Sequence, residues 1–125
     1  MLNEIQTSKI LASGLAPVPL DGKRVLILTP DGTRSGPMPM IFRLLCDTLL
    51  PRVAKLDFLI ALGTHQPMSD AAQNKLYGLT PEDRAGRYQS VSIHNHHWER
   101  PDTFASLGEI PAARMREISG GLMDQ

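Results

Sequence analysis

Two short apolar runs constrain the fold of this chain more than any other feature. They cover residues 24–28 and 56–62, and both are rich in branched side chains. Such runs are typical of strands that are buried on both faces. Residues 39–50 lie between the two runs and carry a helical stripe of apolar residues. Strands separated by a helix indicate βαβ units, so the sequence predicts a parallel sheet.

Weaker patterns extend this alternation along the chain. They predict helices over residues 4–11, 69–76 and 111–118 and a third strand over residues 88–93. Ser69 is expected to cap its helix through its hydroxyl. The prediction is therefore one α/β domain over residues 1–125, with a three-layer Rossmann-like parallel sheet and helices on both faces. Because another strand is expected after the last helix, we expect the chain to stop within a domain or at its edge.

Composition argues against several classes of partner. Lys plus Arg and Asp plus Glu both number 13, so the formal net charge is zero and neither nucleic acid nor a membrane is an expected partner. No apolar run is long enough to span a bilayer, and the N-terminus lacks a signal-peptide core. Cys46 is the single cysteine and lies in a helical apolar pattern, which predicts a buried thiol and a cytoplasmic protein.

The loop after the first run, residues 29–37, carries candidate binding groups. Gly32 and Gly36 let the backbone approach a ligand closely, and the guanidinium of Arg34 matches a carboxylate or a phosphate. Asp31 either holds Arg34 in place or accepts a hydrogen bond from a substrate hydroxyl. The alternative is a surface turn in which Asp31 caps its own loop and Arg34 is solvated.

The loop after the second run places Gly63, Thr64 and His65 at the end of a strand. A histidine at such a position is suited to acid–base chemistry, because its ordinary pKa lies near neutrality. The alternative is a structural, hydrogen-bonded histidine. Because ligands collect at the carboxyl ends of parallel strands, we expect Arg34 and His65 to lie on neighbouring loops at one edge of the sheet.

A third polar cluster contains His94, His96 and His97. His94 and His96 would share a face if the strand continued, which makes them a candidate metal pair. The alternative, which we favour because three histidines alone are a weak signal for a metal site, is a set of polar residues at a strand end. We expect no metal site in this chain and assign the three histidines no role.

Two motifs in order resemble the N-terminal domain of the lactate racemase family. That domain carries an Asp-x-Thr-Arg loop, usually followed by Pro, and then a Gly-Thr-His loop with Pro-Met just beyond. Residues 31–34 read Asp-Gly-Thr-Arg and residues 63–68 read Gly-Thr-His-Gln-Pro-Met. The tail at residues 118–122 also agrees, so the resemblance covers most of the chain. Ser35 departs from the family pattern, in which Pro is usual.

The resemblance implies a nickel-dependent 2-hydroxyacid racemase. Such enzymes bind a nickel pincer nucleotide, nickel pyridinium-3,5-bisthiocarboxylic acid mononucleotide, which is attached to a lysine. A hydride moves from C2 of the hydroxy acid to the cofactor and back, while two histidines act as alternating bases on the hydroxyl. By motif, His65 is one catalytic base and Arg34 binds the substrate carboxylate, with Asp31 and Thr33 as further substrate-binding residues of the loop.

The resemblance also implies that this chain is incomplete as an enzyme. The cofactor lysine, the nickel ligand and the second base are expected in a C-terminal domain, which is the expected partner together with the hydroxy acid. We therefore expect no cofactor and no turnover in these 125 residues alone, and self-association through an exposed docking face. Two other interpretations remain open: a non-catalytic α/β module that binds a small anion, and a relative that acts on malate, an aryl lactate or a sugar acid.

Overall fold

The computed structural model describes residues 3–123, and within them three parallel strands form one sheet with helices around it. The strands are β1 (Arg24–Pro30), β2 (Lys55–Ala61) and β3 (Ser92–Asn95), in the order β1-β2-β3. The last residues of β1 and β2, Pro30 and Ala61, lie opposite each other. The loops that follow these strands therefore leave the same edge of the sheet. The predicted α/β class with a parallel sheet is confirmed.

Three of the described helices begin at side-chain caps, and two have none. Asn3 and Gln6 form a capping box at the start of the first helix, and the Ser69 hydroxyl accepts from the N–H of Ala72 at 3.3 Å, as expected for a cap. No helix within residues 3–123 has the length and apolar character needed to cross a membrane. The helices are α1 (Glu4–Leu15), α2 (Met38–Leu49), α3 (Asp70–Tyr77), α4 (Pro81–Ala85) and α5 (Ala112–Ile118), with a 3₁₀ turn at Pro101–Thr103.

The core lies between one face of the sheet and the helices α2 and α3. The ring centroid of Phe42 on α2 is 4.7 Å from that of Phe58 on β2 and 4.9 Å from that of Tyr77 on α3. All three side chains are almost fully buried. Cys46 is buried in the same core, and burial raises the pKa of its thiol to about 12, so the predicted buried thiol is confirmed.

The prediction that the first apolar run is buried on both faces is wrong for β1. Leu26 is 53% exposed and Leu28 is 66% exposed, whereas Thr29 is buried. Successive side chains of a strand point to opposite faces, and no described element covers the second face at β1. Docking of a partner on an exposed apolar face stays a prediction.

The predicted third strand is displaced along the chain. Tyr88 and Val91 are buried, but they lie in turns after α4, where the N–H of Val91 donates to the carbonyl of Tyr88. Their apolar character reflects packing against the core and not strand pairing, which begins at Ser92. Helix α4 was not predicted, although Thr80 and Asp83 form a capping box at its start.

A buried hydrogen bond fixes the end of β1 to α3. The hydroxyl oxygens of Thr29 and Tyr77 are 2.6 Å apart, and both residues are buried. This contact lies two residues before Asp31, so it holds the strand end from which the first candidate loop starts.

We expect Tyr77→Phe to lower the free energy of unfolding by about 1–3 kcal/mol, because it leaves the Thr29 hydroxyl buried without its partner. Urea unfolding checks this value. The matched control is Tyr88→Phe, since Tyr88 is also buried but its hydroxyl has no hydrogen-bond partner among the described residues. Equal losses in the two variants would contradict a specific role for the Thr29–Tyr77 contact.

Candidate functional site

The loops after β1 and β2 meet at the carboxyl edge of the sheet. Oδ2 of Asp31 is 2.5 Å from Nδ1 of His65, although the two residues are 34 positions apart in the sequence. The parallel register of β1 and β2 produces this meeting, because the two strands end side by side. The expected proximity of the two loops is therefore confirmed.

The Asp31 carboxylate is buried and its oxygens serve the protein itself. Oδ1 accepts from the backbone N–H of Thr33 at 3.1 Å and from the Thr33 hydroxyl at 2.5 Å, while Oδ2 faces His65. Hydrogen bonds from the Thr33 hydroxyl and then from His65 lower the pKa of Asp31 to about 2. Asp31 is therefore ionised at neutral pH.

The structure does not support the alternative in which Asp31 holds the Arg34 side chain in place. Its carboxylate binds Thr33 and His65, and within residues 3–123 it forms no ion pair with the Arg34 side chain. Only the backbone of Arg34 contacts Asp31, through an N–H donated to the Asp31 carbonyl at 3.4 Å. The loop cap is formed as the alternative interpretation expected, and the carboxylate additionally holds the histidine.

The contact with Asp31 determines which nitrogen of His65 carries a proton. An ionised carboxylate only accepts hydrogen bonds, so Nδ1 of His65 must donate to Oδ2 of Asp31. In the neutral ring, Nε2 then has a free lone pair and acts as an acceptor. The side chain of His65 is 58% exposed, so the ring is held on one side and open on the other. This arrangement suits a general base.

The strand β3 holds the loop that carries His65, a feature that the sequence did not predict. The Asn95 side chain accepts from the N–H of Met68 at 3.0 Å and donates to the Met68 carbonyl at 2.9 Å. The indole N–H of Trp98 donates to the carbonyl of His65 at 3.0 Å. The sequence feature that could have pointed to Asn95 is its position, since it ends a strand at the same edge of the sheet.

The three histidines of the third cluster have different surroundings. His94 is exposed and lies opposite Leu59 in the sheet register, the ring of His96 packs edge-on against Phe104, and Nδ1 of His97 is 2.9 Å from the Glu99 carboxylate. Residues 3–123 contain no group of three or more His, Cys, Asp or Glu side chains that could hold a metal ion. The surroundings of His94 and His96 in the described structure do not support the interpretation of these two residues as a metal pair.

Arg34 lies at a neighbouring cleft. The side chain is exposed, and its guanidinium makes no hydrogen bond with the described part of the chain. The cleft has a volume of about 400 Å³ and separates the Arg34 loop from α3. The structure thus brings Asp31, Thr33 and His65 into direct contact and places Arg34 beside them. The cleft is lined by Gly32, Arg34, Gly36, Met38, Pro39, Met68, Ala72, Lys75 and Leu76.

We expect Thr33→Val to raise the pKa of Asp31 towards its ordinary value of 3.8, because the variant removes the hydroxyl hydrogen bond that lowers it most. Carboxyl chemical shifts followed through an NMR titration measure this. In the native protein the contribution of ionised Asp31 to stability is complete above pH 3.8 and is lost as the pH falls through about 2. The loss should begin at higher pH in Thr33→Val.

The control for this titration is Thr64→Val, because the Thr64 hydroxyl has no hydrogen bond with the described residues. That variant should leave the Asp31 titration unchanged. An unchanged Asp31 pKa in Thr33→Val would show that the hydroxyl contact does not stabilise the carboxylate.

Comparison with known proteins gives one family and one related structure. The family model for the lactate racemase N-terminal domain matches residues 4–124. No curated protein matches the sequence. A crystal structure of a protein from Thermotoga maritima is similar with a TM-score of 0.77 and 26% sequence identity, and the match covers 99% of this chain and 28% of that chain.

The extent of these matches decides what they show. The chain spans only 28% of the length of the solved protein, so the likeness concerns the fold of one part of it. The family model, in contrast, covers nearly all of this chain. The chain therefore belongs to the lactate racemase family and matches its N-terminal domain.

Proposed function

We propose that the chain is the N-terminal domain of a nickel-dependent 2-hydroxyacid racemase or epimerase, in which His65 is an acid–base residue and Arg34 binds the substrate carboxylate. The observation that carries the proposal is the 2.5 Å contact between Asp31 and His65 at the carboxyl edge of the sheet. A histidine held by a buried carboxylate, with its second nitrogen open, is a common arrangement for proton transfer.

His65 is suited to the proton that the reaction must move. Oxidation of a 2-hydroxy acid to a 2-keto acid removes a hydride from C2 and a proton from the hydroxyl, and reduction returns both. Nε2 of His65 takes the hydroxyl proton in one direction and gives it back in the other. Asp31 is a positioning residue in this proposal, because its contact fixes the ring and stabilises the imidazolium that forms.

Arg34 is suited to the carboxylate of the substrate. A guanidinium binds a carboxylate through two parallel hydrogen bonds, and that of Arg34 has no such partner among the described residues. The hydrogen bonds of Asp31 to Thr33 fix the turn that presents Arg34. Thr33 therefore shapes the substrate loop in this proposal.

The family resemblance implies a nickel pincer nucleotide as cofactor, which would supply the hydride chemistry at C2. Residues 3–123 contain no cluster of side chains that could hold nickel, so the described residues do not fit the metal by themselves. We assign none of them to cofactor binding. The cofactor site and the second base belong, in this proposal, to a C-terminal domain that completes the enzyme in the cytoplasm.

We expect His65→Ala in the complete enzyme to slow racemisation in both directions by about 10²–10⁴-fold, the usual contribution of a positioned acid–base group. Nickel content should stay unchanged, because the nickel ligands are proposed to lie elsewhere. Forward and reverse rates measured with the metal content check this. The matched control is His94→Ala, which removes an exposed histidine that has no assigned role.

Two outcomes would change the assignment of His65. Loss of nickel in His65→Ala would make it a metal ligand, and rates close to those of the wild type would make it a structural residue.

We expect Arg34→Lys to lower kcat/KM by a factor that corresponds to about 1–3 kcal/mol, since lysine keeps the charge but loses the two-pronged geometry. Arg34→Ala should lose at least as much. Arg24→Lys is the matched control, because Arg24 lies at the opposite end of β1. Unchanged kinetics in both Arg34 variants would remove the carboxylate role.

A second candidate function is a non-catalytic module that binds a small anion. One observation favours it: His65 is absent from the residues that line the cleft beside Arg34. This candidate predicts that the complete protein binds hydroxy acids without turning them over, and that His65→Ala leaves this binding unchanged. Turnover by the wild-type protein, and the effect of His65→Ala on binding, therefore separate the two functions.

A further inference from the structure

We propose that the cleft between the Arg34 loop and α3 holds a second anionic group of the substrate through Lys75. The inference rests on the proposed function and narrows its substrate class to 2-hydroxy acids with two anionic groups. The second group is a carboxylate or a phosphate ester, because both present oxygen atoms to an ammonium group in the same way.

Two cationic side chains from different elements line this cleft. Arg34 belongs to the loop after β1, and Lys75 belongs to the last turn of α3. Neither side chain forms an ion pair with any residue that the structure describes. None of the described residues that line the cleft is acidic. The cleft therefore carries two positive charges that its own lining does not neutralise.

The rest of the lining is apolar or glycine. Met38, Met68 and Leu76 supply apolar surface to the cleft, and a side chain in place of Gly36 would meet open space. The volume of about 400 Å³ lies within the range of small-molecule sites, roughly 300–1,000 Å³. Such a cleft suits a short carbon chain with an anionic group at each end.

The cleft also adjoins the histidine that the proposed reaction uses. Met68 lines the cleft and lies on the loop that carries His65. Its methyl carbon is close to Gly32, since a side-chain Cβ at that residue would lie 4.0 Å from it. The backbone of Met68 is fixed by Asn95. A substrate whose first carboxylate binds Arg34 can therefore extend its second anionic group towards α3 and keep C2 near the His65 loop.

The first experiment measures binding to this chain by NMR titration with four probes: lactate, 2-hydroxybutyrate, malate and glycerate 3-phosphate. Malate and glycerate 3-phosphate each carry two anionic groups and are called dianions below in that sense, although the phosphate ester adds further negative charge near pH 7. We expect these two acids to bind at least about fivefold more tightly than the two monoanions, with amide shifts at Ala72, Lys75 and Leu76. Lys75→Gln should abolish this advantage, and Lys75→Arg should keep it. A preference for malate over glycerate 3-phosphate, or the reverse, identifies the second group as carboxylate or phosphate.

The matched control is Lys9→Gln, which removes the same charge from an exposed position on another helix. Lys9→Gln should leave the preference for dianions intact. If the preference came only from net charge, Lys9→Gln and Lys75→Gln would weaken it equally. Equal binding of monoanions and dianions, the same preference in Lys75→Gln as in the wild type, or no binding of any probe would overturn the inference.

The second experiment repeats the comparison as racemisation by the complete enzyme. We expect Lys75→Gln to lower kcat/KM for the dianionic acids by about tenfold or more, mainly through KM, and to change that for lactate by less than about twofold. Turnover of monoanions with no effect of Lys75→Gln would overturn the inference and leave the proposed function intact. Dianion binding without turnover of any hydroxy acid would instead contradict the proposed function.

Discussion

The hydrogen bond between Asp31 and His65 is the interaction on which the candidate site depends. It links the loops after β1 and β2 directly, and it gives the histidine a defined tautomer and orientation. The carboxylate can be buried because Thr33 and His65 satisfy it from three directions, which offsets the cost of removing it from water. The same contacts keep it ionised at neutral pH, and only an ionised Asp31 fixes the proton on Nδ1 of His65.

The strand register and two further hydrogen-bonded contacts support the contact between Asp31 and His65. The register of β1 and β2 brings the loops to one edge, and the buried Thr29–Tyr77 contact fixes the end of β1 to α3. Asn95 fixes the second loop from the neighbouring strand. The strands β1 and β3 thus each contribute one anchor to the same edge, and the exposed face of the imidazole is the part of the arrangement left for a ligand.

The local patterns in the sequence predicted the elements well because their causes are local. The run at residues 56–62 became β2 (Lys55–Ala61), and Ser69 capped α3 as expected. The third strand was misplaced because Tyr88 and Val91 are buried in turns, and apolar character alone does not distinguish core packing from strand pairing. The exposure of Leu26 and Leu28 was not predicted, because the sequence of one strand does not show whether another element covers each of its faces.

The candidate site was predictable in its residues but not in its contacts. The two motifs identified Asp31, Thr33, Arg34 and His65, and the rule for parallel sheets predicted that their loops meet. The partner of the Asp31 carboxylate could not be predicted from the sequence. Arg34 is three residues away along the chain, whereas His65 comes near only because the sheet brings the two loops together. The clamp of Asn95 on Met68 joins residues 27 positions apart and has no local signal.

The tautomer of the His65 ring tests the central claim most directly. Two-bond ¹⁵N–¹H NMR spectra of the protein, recorded where the ring is neutral, distinguish a proton on Nδ1 from one on Nε2. We predict the Nδ1–H form, with Nε2 free to accept a proton from a substrate hydroxyl, and we expect Asp31→Ala to allow a mixture of both forms. A wild-type ring with its proton on Nε2 would contradict the account, because the nitrogen that faces solvent would then have no lone pair to act as a base.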